Sequence, residues 1–397
     1  MPRQARSERS TRAASTGRAT TAHDATASDG DAARLADHAA ATLAALVAIP
    51  SVSGEEDAIR RELRARLDTL GLAPEIDAAG NLIAALPGDG TPLLLNAHMD
   101  RVPPGRGHTA VIADGRMRSD GTTNLGADDA AGLAIILTVV EEIVRRGRPY
   151  PPLVLLFTVG EEVGLRGASA FDPSRWGVTE GLVFDNAGAP GAVVTRGATY
   201  VAFDAVLRGR SGHPGKDLAG TVSAIEMLRR LPLPLGSLDG DSTRVSLGTV
   251  AGGTARNAIP AEVRLAGEVR TFLGGESLVR LLGTVEQDFL DVAAATGGEA
   301  ECAFDPHCPG YTVAPDEPLL AAWRTAWEAR GHPFDPIATF IGSDAHALRR
   351  SIRALTVSTG VEDEHTTAES IPLAPLGEIA AATLALLAEY RSESQKS

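Results

Sequence analysis

An α/β fold carrying an inserted α+β domain is predicted for this chain, on three observations. Short apolar strands alternate with amphipathic helices over most of its length, the pattern of a sheet covered by helices on both faces. The alternation is interrupted once, over residues 193–308, by a strand–helix–strand–strand–helix–strand run, the order of a ferredoxin-like unit. Acidic and histidine residues gather where the apolar strands stop, at the edge where α/β sheets place their ligands.

The elements follow in order. Helical periodicity runs from about Ala33 to Ala48, where Pro50 stops it. A second amphipathic helix follows Glu55-Glu56 and ends at Gly71. Strands are expected at Asn81 to Leu86 and Pro92 to His98, then a helix from Asp128 through Ile143, and strands at Leu153 to Val159 and Leu182 to Phe184. In the interrupting segment the strands are Tyr200 to Leu207, Val245 to Val250, Val263 to Val269 and Glu299 to Phe304, and the helices Leu218 to Leu231 and Glu276 to Ala294. The α/β pattern then resumes with a helix from Pro318, strands near Ile337 and Leu355, and a last helix from Leu376 to Tyr390.

Composition sets the outer bounds. A length of 397 residues exceeds one ordinary core and predicts two domains: a large one over residues 31–192 and 309–397, and the insert over 193–308. Residues 1–30, rich in Arg, Ser, Thr and Ala, lack the apolar centre of a secretory signal and read as a disordered tail or an over-called start. Hydrophobic residues at 44% and charged ones at 22% are the balance of a soluble globular protein. A net charge of −14 argues against a nucleic-acid partner, and no apolar run of about 18 residues predicts a membrane span. With only Cys302 and Cys308 there is no disulfide framework, which suits a reducing, cytoplasmic compartment.

The chemistry is concentrated in five segments. Leu93-Leu94-Leu95-Asn96-Ala97-His98-Met99-Asp100 ends a buried strand in His-x-Asp, and residues two apart share a side of a strand, so Asp100 can hold the His98 imidazole in one tautomer. A satisfied polar strand end is an equal reading of that motif alone. Gly126-Ala127-Asp128-Asp129 opens a helix, where an acid pair also serves simply to face the helix dipole. Phe157-Thr158-Val159-Gly160-Glu161-Glu162 puts two diverging glutamates after a strand, one free to bind metal and the other to face substrate; a solvated charge pair is the alternative. Asp185 ends another strand, and His365 follows the last one. Two histidines and three carboxylates, with a spare Glu and Asp, form an N/O donor set for two divalent ions sharing one carboxylate. Burying so many acids without cations would be costly.

At the level of these motifs the chain resembles the acetylornithine deacetylase / succinyl-diaminopimelate desuccinylase / peptidase T family of dinuclear metallohydrolases. The segments that carry the resemblance are NAHMD, GADDAAG, TVGEEVG, VFDNAG, GRSGHPG, ARNAIP, IGSDAH and EHTTAESI, in family order over about residues 33–390. The peptidase T (tripeptide aminopeptidase) branch is nearest, through GADD and GSDA. The resemblance implies a zinc-exopeptidase-like sheet with a ferredoxin-like lid and dimerisation domain. It implies His98 and Asp185 on one metal, Glu162 and His365 on the other, Asp128 bridging, Glu161 as general base and Asp100 orienting His98, with a non-proline cis peptide at Asp128–Asp129. In the glutamyl-aminopeptidase type the extra domain falls between the His-x-Asp and the bridging Asp. Here only a short segment separates Asp100 from Asp128, which favours the first family.

The same resemblance makes the insert a lid whose His213, in Gly209-Arg210-Ser211-Gly212-His213-Pro214-Gly215, reaches a neighbouring subunit's active site and stabilises the oxyanion; a surface turn histidine is the alternative. Arg270 can clamp a substrate carboxylate with help from Asn257, or form a plain surface ion pair. Gly342-Ser343-Asp344 is expected to face the substrate. The chain departs from the branch at Ala130, where lysine is usual, and at His346, where asparagine is frequent. Cys302, His307 and Cys308 lack a fourth ligand nearby and are read as a lid edge, and no role is assigned to His23, His38, His108, His307 or His332. The expected activity is hydrolysis of a short peptide by two divalent ions, zinc first and cobalt or manganese on the same donors, in a homodimer formed through the lid. An N-acyl-amino-acid deacylase or carboxypeptidase of the same fold, and a non-catalytic binding protein that keeps it, are the alternatives; none of the ligands or Glu161 is missing, as the last would require.

Overall fold

The computed structural model describes residues 29–147, 150–216 and 218–390. The tail expected over residues 1–30 falls almost wholly outside them, and helix is already formed at Asp29, ahead of the predicted Ala33. Four parallel strands make the centre of the large domain, side by side in the order Leu153–Thr158, Leu93–His98, Glu180–Phe184 and Arg353–Val357. The first three are buried throughout, as expected of strands covered on both faces. Leu82–Leu86 adds antiparallel to Leu153–Thr158, with Glu75–Ile76 beyond it. On the other side Val193–Gly197 runs antiparallel to Arg353–Val357 and is flanked by Tyr311–Thr312 and Pro336–Thr339.

Side-chain alternation divides the core. Leu93, Leu95, Leu155 and Phe157 face the helices Asp29–Val47, Ala127–Arg146 and Ala374–Glu389. Leu94, Val154, Leu156 and Val183 face the opposite layer, where Leu165, Phe171 and Leu348 meet them. The period of two along each strand is what makes both faces apolar. Because the four central strands point the same way, their carboxyl ends at His98, Thr158, Phe184 and Val357 emerge on one edge.

The insert is the expected antiparallel unit. Its main strands are ordered Thr243–Gly252, Glu262–Thr271, Thr199–Arg208, Glu299–Cys308, with Gly236–Leu238 as an extra edge. The helices Ala224–Arg230 and Gly275–Thr296 close over Phe203, Leu207, Met227, Val263 and Phe289.

Two expectations are corrected here. Val193–Gly197 pairs within the large sheet, so the insert begins at about Thr199 and not at residue 193. The helix predicted from Leu218 starts only at Ala224, because Gly220 takes a left-handed φ of 80 and Val222 pairs with Arg210; Ser223 then caps it through the Glu226 amide. A hairpin not foreseen, Ala110–Ala113 with Arg116–Ser119, is joined by Ser370–Pro372 in a small third sheet. Among the described residues no helix is long and apolar enough to cross a membrane.

Candidate metal centre and substrate cleft

Each member of the cluster leaves the common edge by its own local device. His98 is the last residue of its strand. Gly160, with φ 60, turns the chain after Leu153–Thr158 so that Glu161 and Glu162 leave on a tight turn, closed by Gly164 N and Leu165 N donating to the Glu161 carbonyl. Asp185 follows Glu180–Phe184 directly. Asp128 stands at the head of Ala127–Arg146 beside a cis Asp128–Asp129 peptide. His365 lies in the loop after Arg353–Val357 with a left-handed φ of 63, unusual for a residue with a side chain.

These devices converge. His98 Nε2 lies 3.3 Å from Asp128 Oδ1, and His365 Nε2 lies 3.1 Å from Asp128 Oδ2 and 2.9 Å from Glu162 Oε1. The two oxygens of one carboxylate thus face two different imidazoles, the disposition of a bridging ligand. Ligand atoms of His98, Asp128 and Glu162 all fall within 4.8 Å of one another. Asp185 is buried and feels the charges of Asp128 and His98.

The acids and imidazoles of the site shift one another's ionisation. Burial, followed by repulsion from Asp128, pushes Asp185 up to about 7. Burial raises Glu161 well above the usual carboxylate range, with Asp185, Asp344 and Glu162 adding to the effect against the pull of His98. Burial opposes the ionisation of Asp128 too, yet its bonds to His365 and His98 hold it well below that range. Those with Asp128 and Glu162 lift His365 to about 10. Two imidazole nitrogens facing shared carboxylate oxygens make an N/O donor set that fits divalent ions.

The surrounding groups hold the cluster. His98 Nδ1 lies 3.0 Å from the Asp100 carbonyl oxygen and 3.5 Å from Oδ1, so the ring is oriented by the backbone of Asp100 more closely than by its carboxylate. That carboxylate accepts from Glu161 N at 2.9 Å, Glu162 N at 3.2 Å and Ser53 Oγ at 2.7 Å. Asp129, turned inward, accepts from the His98 and Gly132 amides. Asp344, expected to face the substrate, is buried, accepts from Thr158 Oγ1 and Asn96 Nδ2, and is not among the residues that line the cleft.

A cleft of about 460 Å³ opens beside the cluster, lined by Glu161, Glu162, His365, Val102, Gly342 and Arg270, with Tyr200, His307 and Cys308. Arg270 is engaged: it donates to the Glu268 carboxylate and the Phe340 carbonyl, and its guanidinium lies 4.6 Å from the centre of the Tyr200 ring. His307, given no role from sequence, stacks on Tyr200 at 4.7 Å.

Three expected residues fall elsewhere. Ser343 is buried with its hydroxyl on Thr356 and caps the helix Asp344–Leu348. Asn257 is exposed on a turn of the insert. His213 is exposed on its own loop, where Nδ1 accepts from Gly215 N, and neither it nor Asn257 lines the cleft. His346, the second departure, is buried edge-on to Tyr311, and burial lowers it to about 4.

Residues 94–389 match the family described as Peptidase family M20/M25/M40. Uncharacterized protein YqjE of Bacillus subtilis (strain 168) is 29% identical over 357 residues, 87% of this chain and 96% of its own. Among solved structures, aminopeptidase PepT from Bacillus cereus is similar with a TM-score of 0.82 and 30% identity, over 89% of this chain and 98% of its own. A tripeptidase from Staphylococcus aureus subsp. aureus Mu50 reaches 0.85 at 28% identity, over 89% and 97%. The family match runs from the strand that ends in His98 to the last helix and so spans every residue of the cluster; the chain belongs to peptidase family M20/M25/M40 and hydrolyses peptide bonds.

Proposed function

We propose that this peptidase is a cytoplasmic enzyme that cleaves short peptides, tripeptides first, at a centre of two divalent metal ions. The observation that carries the reading is the single carboxylate of Asp128 set between His98 and His365, with Glu162 and Asp185 at hand. His98 and Asp185 would hold one ion, Glu162 and His365 the other, and Asp128 both. When bound, such ions lower the pKa of water and polarise a carbonyl oxygen, and zinc, cobalt and manganese all suit the donors.

The chain's own part in the reaction is proton handling and placement. Glu161, in the cleft wall beside the cluster, takes a proton from the attacking water. It passes that proton to the amide nitrogen as the C–N bond breaks. The carboxylate of Asp100 fixes the Glu161 backbone by accepting its N–H. Arg270, held in the same wall by Glu268, is available to a substrate carboxylate. Its pairing is not exclusive, since a guanidinium carries five donors. Asn257 is exposed on a turn of the insert, and our reading keeps it as an outlying substrate contact.

His213 is exposed and outside its own cleft, which favours service to the oxyanion in a second copy, in a homodimer formed through the insert. The short Tyr200–His307–Arg270 wall suits a small substrate. The two cysteines are unpaired, in keeping with a reducing compartment.

The test is metal analysis of the purified protein with a substrate panel of tripeptides, dipeptides and N-acetyl amino acids. We expect close to two ions per chain and preference for tripeptides with a free amine. Glu161→Ala should abolish turnover and leave the metal content unchanged. A preference for N-acetyl amino acids would move the protein to the deacylase reading, and a Glu161→Ala variant with most of its activity would remove Glu161 from its role.

A further inference from the structure

Glu369 lies outside the ligand set yet is almost fully buried. Its carboxylate accepts four consecutive backbone N–H groups. Oε2 takes those of Leu125 and Gly126, each at 2.8 Å, and Oε1 those of Ala127 at 2.7 Å and Asp128 at 3.1 Å. Successive amides turned inward form a concave nest that stabilises an anion. Here the anion is a side chain of the same protein, and the last amide of the nest is that of Asp128.

Glu369 is fixed from its own side as well. Its loop is closed at the base by Glu362 N to Ser370 O at 2.8 Å and Ser370 N to Glu362 O at 3.0 Å, and this short closed loop carries His365. The Glu369 carbonyl accepts from Ser119 N at 3.0 Å. The counter-charge is Arg101, which is buried, electrostatically coupled to Glu369 and tied to the end of the first helix through the carbonyls of Leu46, Val47 and Ile49. Arg101 packs closely on the nest itself: a Cβ on Gly126 would come within 2.6 Å of the Arg101 side chain.

We infer that Glu369 is a positioning residue for the metal centre, one carboxylate that latches the segment bearing Asp128 to the loop bearing His365. The inference rests on the metal-centre reading above. Asp128 and His365 are far apart in sequence and belong to a helix start and an irregular loop, two backbone elements with no shared strand ladder. Glu369 ties the backbone of one to the loop of the other, alongside the 3.1 Å approach of His365 to Asp128. Groups that orient ligands in this way change metal affinity by roughly 10- to 100-fold when removed.

The experiment measures zinc affinity of the full chain by competition with a chelating indicator, for the wild type and for Glu369→Gln. Gln keeps the shape but turns an NH₂ toward part of the nest. Circular dichroism and cooperative unfolding of the metal-free protein check that the variant is folded. We expect zinc binding at least about 10-fold weaker, with tripeptide turnover lost at limiting zinc and largely restored at saturating zinc, and KM unchanged. If Glu369→Gln does not accumulate as folded protein, Glu369→Asp carries the test, since it keeps the charge and withdraws it by one methylene. Wild-type zinc affinity in the folded variant, or a loss of turnover that saturating zinc does not restore, overturns the inference and leaves the metal centre standing. A wild-type chain that takes up no zinc, cobalt or manganese overturns the metal-centre reading and this inference with it.

Discussion

Replacing Asp100 by Asn tests how the site is built, because it removes charge from a group that is fully buried and makes its bonds to backbone. The Asp100 carboxylate accepts from Glu161 N through one oxygen and from Glu162 N and Ser53 Oγ through the other. Asn offers one carbonyl oxygen and an NH₂. The Ser53 hydroxyl can turn round and accept, but the amides of Glu161 and Glu162 cannot, so in either flip of the Asn side chain one backbone N–H faces another donor. A buried unsatisfied donor costs about 1–3 kcal/mol, and the surviving bonds also lose their charge assistance. The expected destabilisation is therefore about 2–4 kcal/mol, read by urea unfolding at neutral pH. The turn carrying Glu161 must shift to relieve the contact, and a displacement near 1 Å costs about 100-fold in rate. That loss should appear in kcat with KM little changed, because no substrate contact is removed. Ser53→Ala is the control. It takes away one acceptor-satisfied hydroxyl and leaves both amide bonds, so it should cost about 1 kcal/mol and little kcat. An Asp100→Asn enzyme with wild-type unfolding and kcat would refute the view that this carboxylate holds the glutamate turn.

Three further expectations follow from separate parts of the molecule. Gly132→Ala places a Cβ 2.2 Å from the Phe184 carbonyl oxygen and 2.6 Å from both Asp129 oxygens, so helix Ala127–Arg146 must move off the strand that leads to Asp185; a loss of about 3 kcal/mol or more is expected in denaturant melts. Glu142, with a side chain 3% exposed, is bonded to Arg145, Arg34 and Arg146, which hold it near 2 against the opposing effect of burial. A carboxylate depressed in the folded state stabilises above its unfolded value and loses that contribution as pH falls through its folded value. Glu142→Gln should thus cost about 1–2 kcal/mol at pH 7, reduced by the exposure of its arginines, with the gap to wild type closing between about pH 4.5 and 2; a gap that does not change with pH would show that charge is not the cause. Removing metal with a chelator should lower the unfolding temperature, and added zinc should restore it, since a ligand at 100 times its Kd contributes about 2.7 kcal/mol; an unchanged melting curve in a protein shown to have lost its ions would mean that they bind the unfolded chain as well as the folded one.

What could be read from sequence was what a strand end or a helix start announces locally. Asn96-Ala97-His98, Val159-Gly160-Glu161 and Phe184-Asp185 each stand where an apolar run breaks, so the side chains could be picked out without knowing their neighbours. What stayed hidden depends on partners far along the chain. Glu369 looks like any acid near a terminus until its carboxylate meets amides more than 240 residues away. Ser343 was expected at the substrate because of its motif, although Ser followed by a short helical stretch, Asp344–Leu348, is equally a cap signal. The hairpin Ala110–Ala113 to Arg116–Ser119 carried a legible mark in Asp114-Gly115, both with positive φ, but its strands are four residues long and only Met117 is buried, too little alternation to register.

The same contrast separates the metal centre from the substrate wall. In a parallel sheet the chain direction alone decides that His98, Glu161, Glu162 and Asp185 come out together, since each follows a strand running the same way. Once the strands are recognised, the convergence of their ends needs no further information. The wall made by Tyr200, Arg270, His307 and Cys308 comes from the start of one insert strand and the ends of two others. In an antiparallel sheet, starts and ends alternate along each edge, so grouping them requires the strand order, and turning them toward the cleft requires the seating of one domain on the other. Chemistry was therefore legible before specificity, and substrate choice should respond to substitutions at Tyr200 and His307 while the requirement for Glu161 stays fixed.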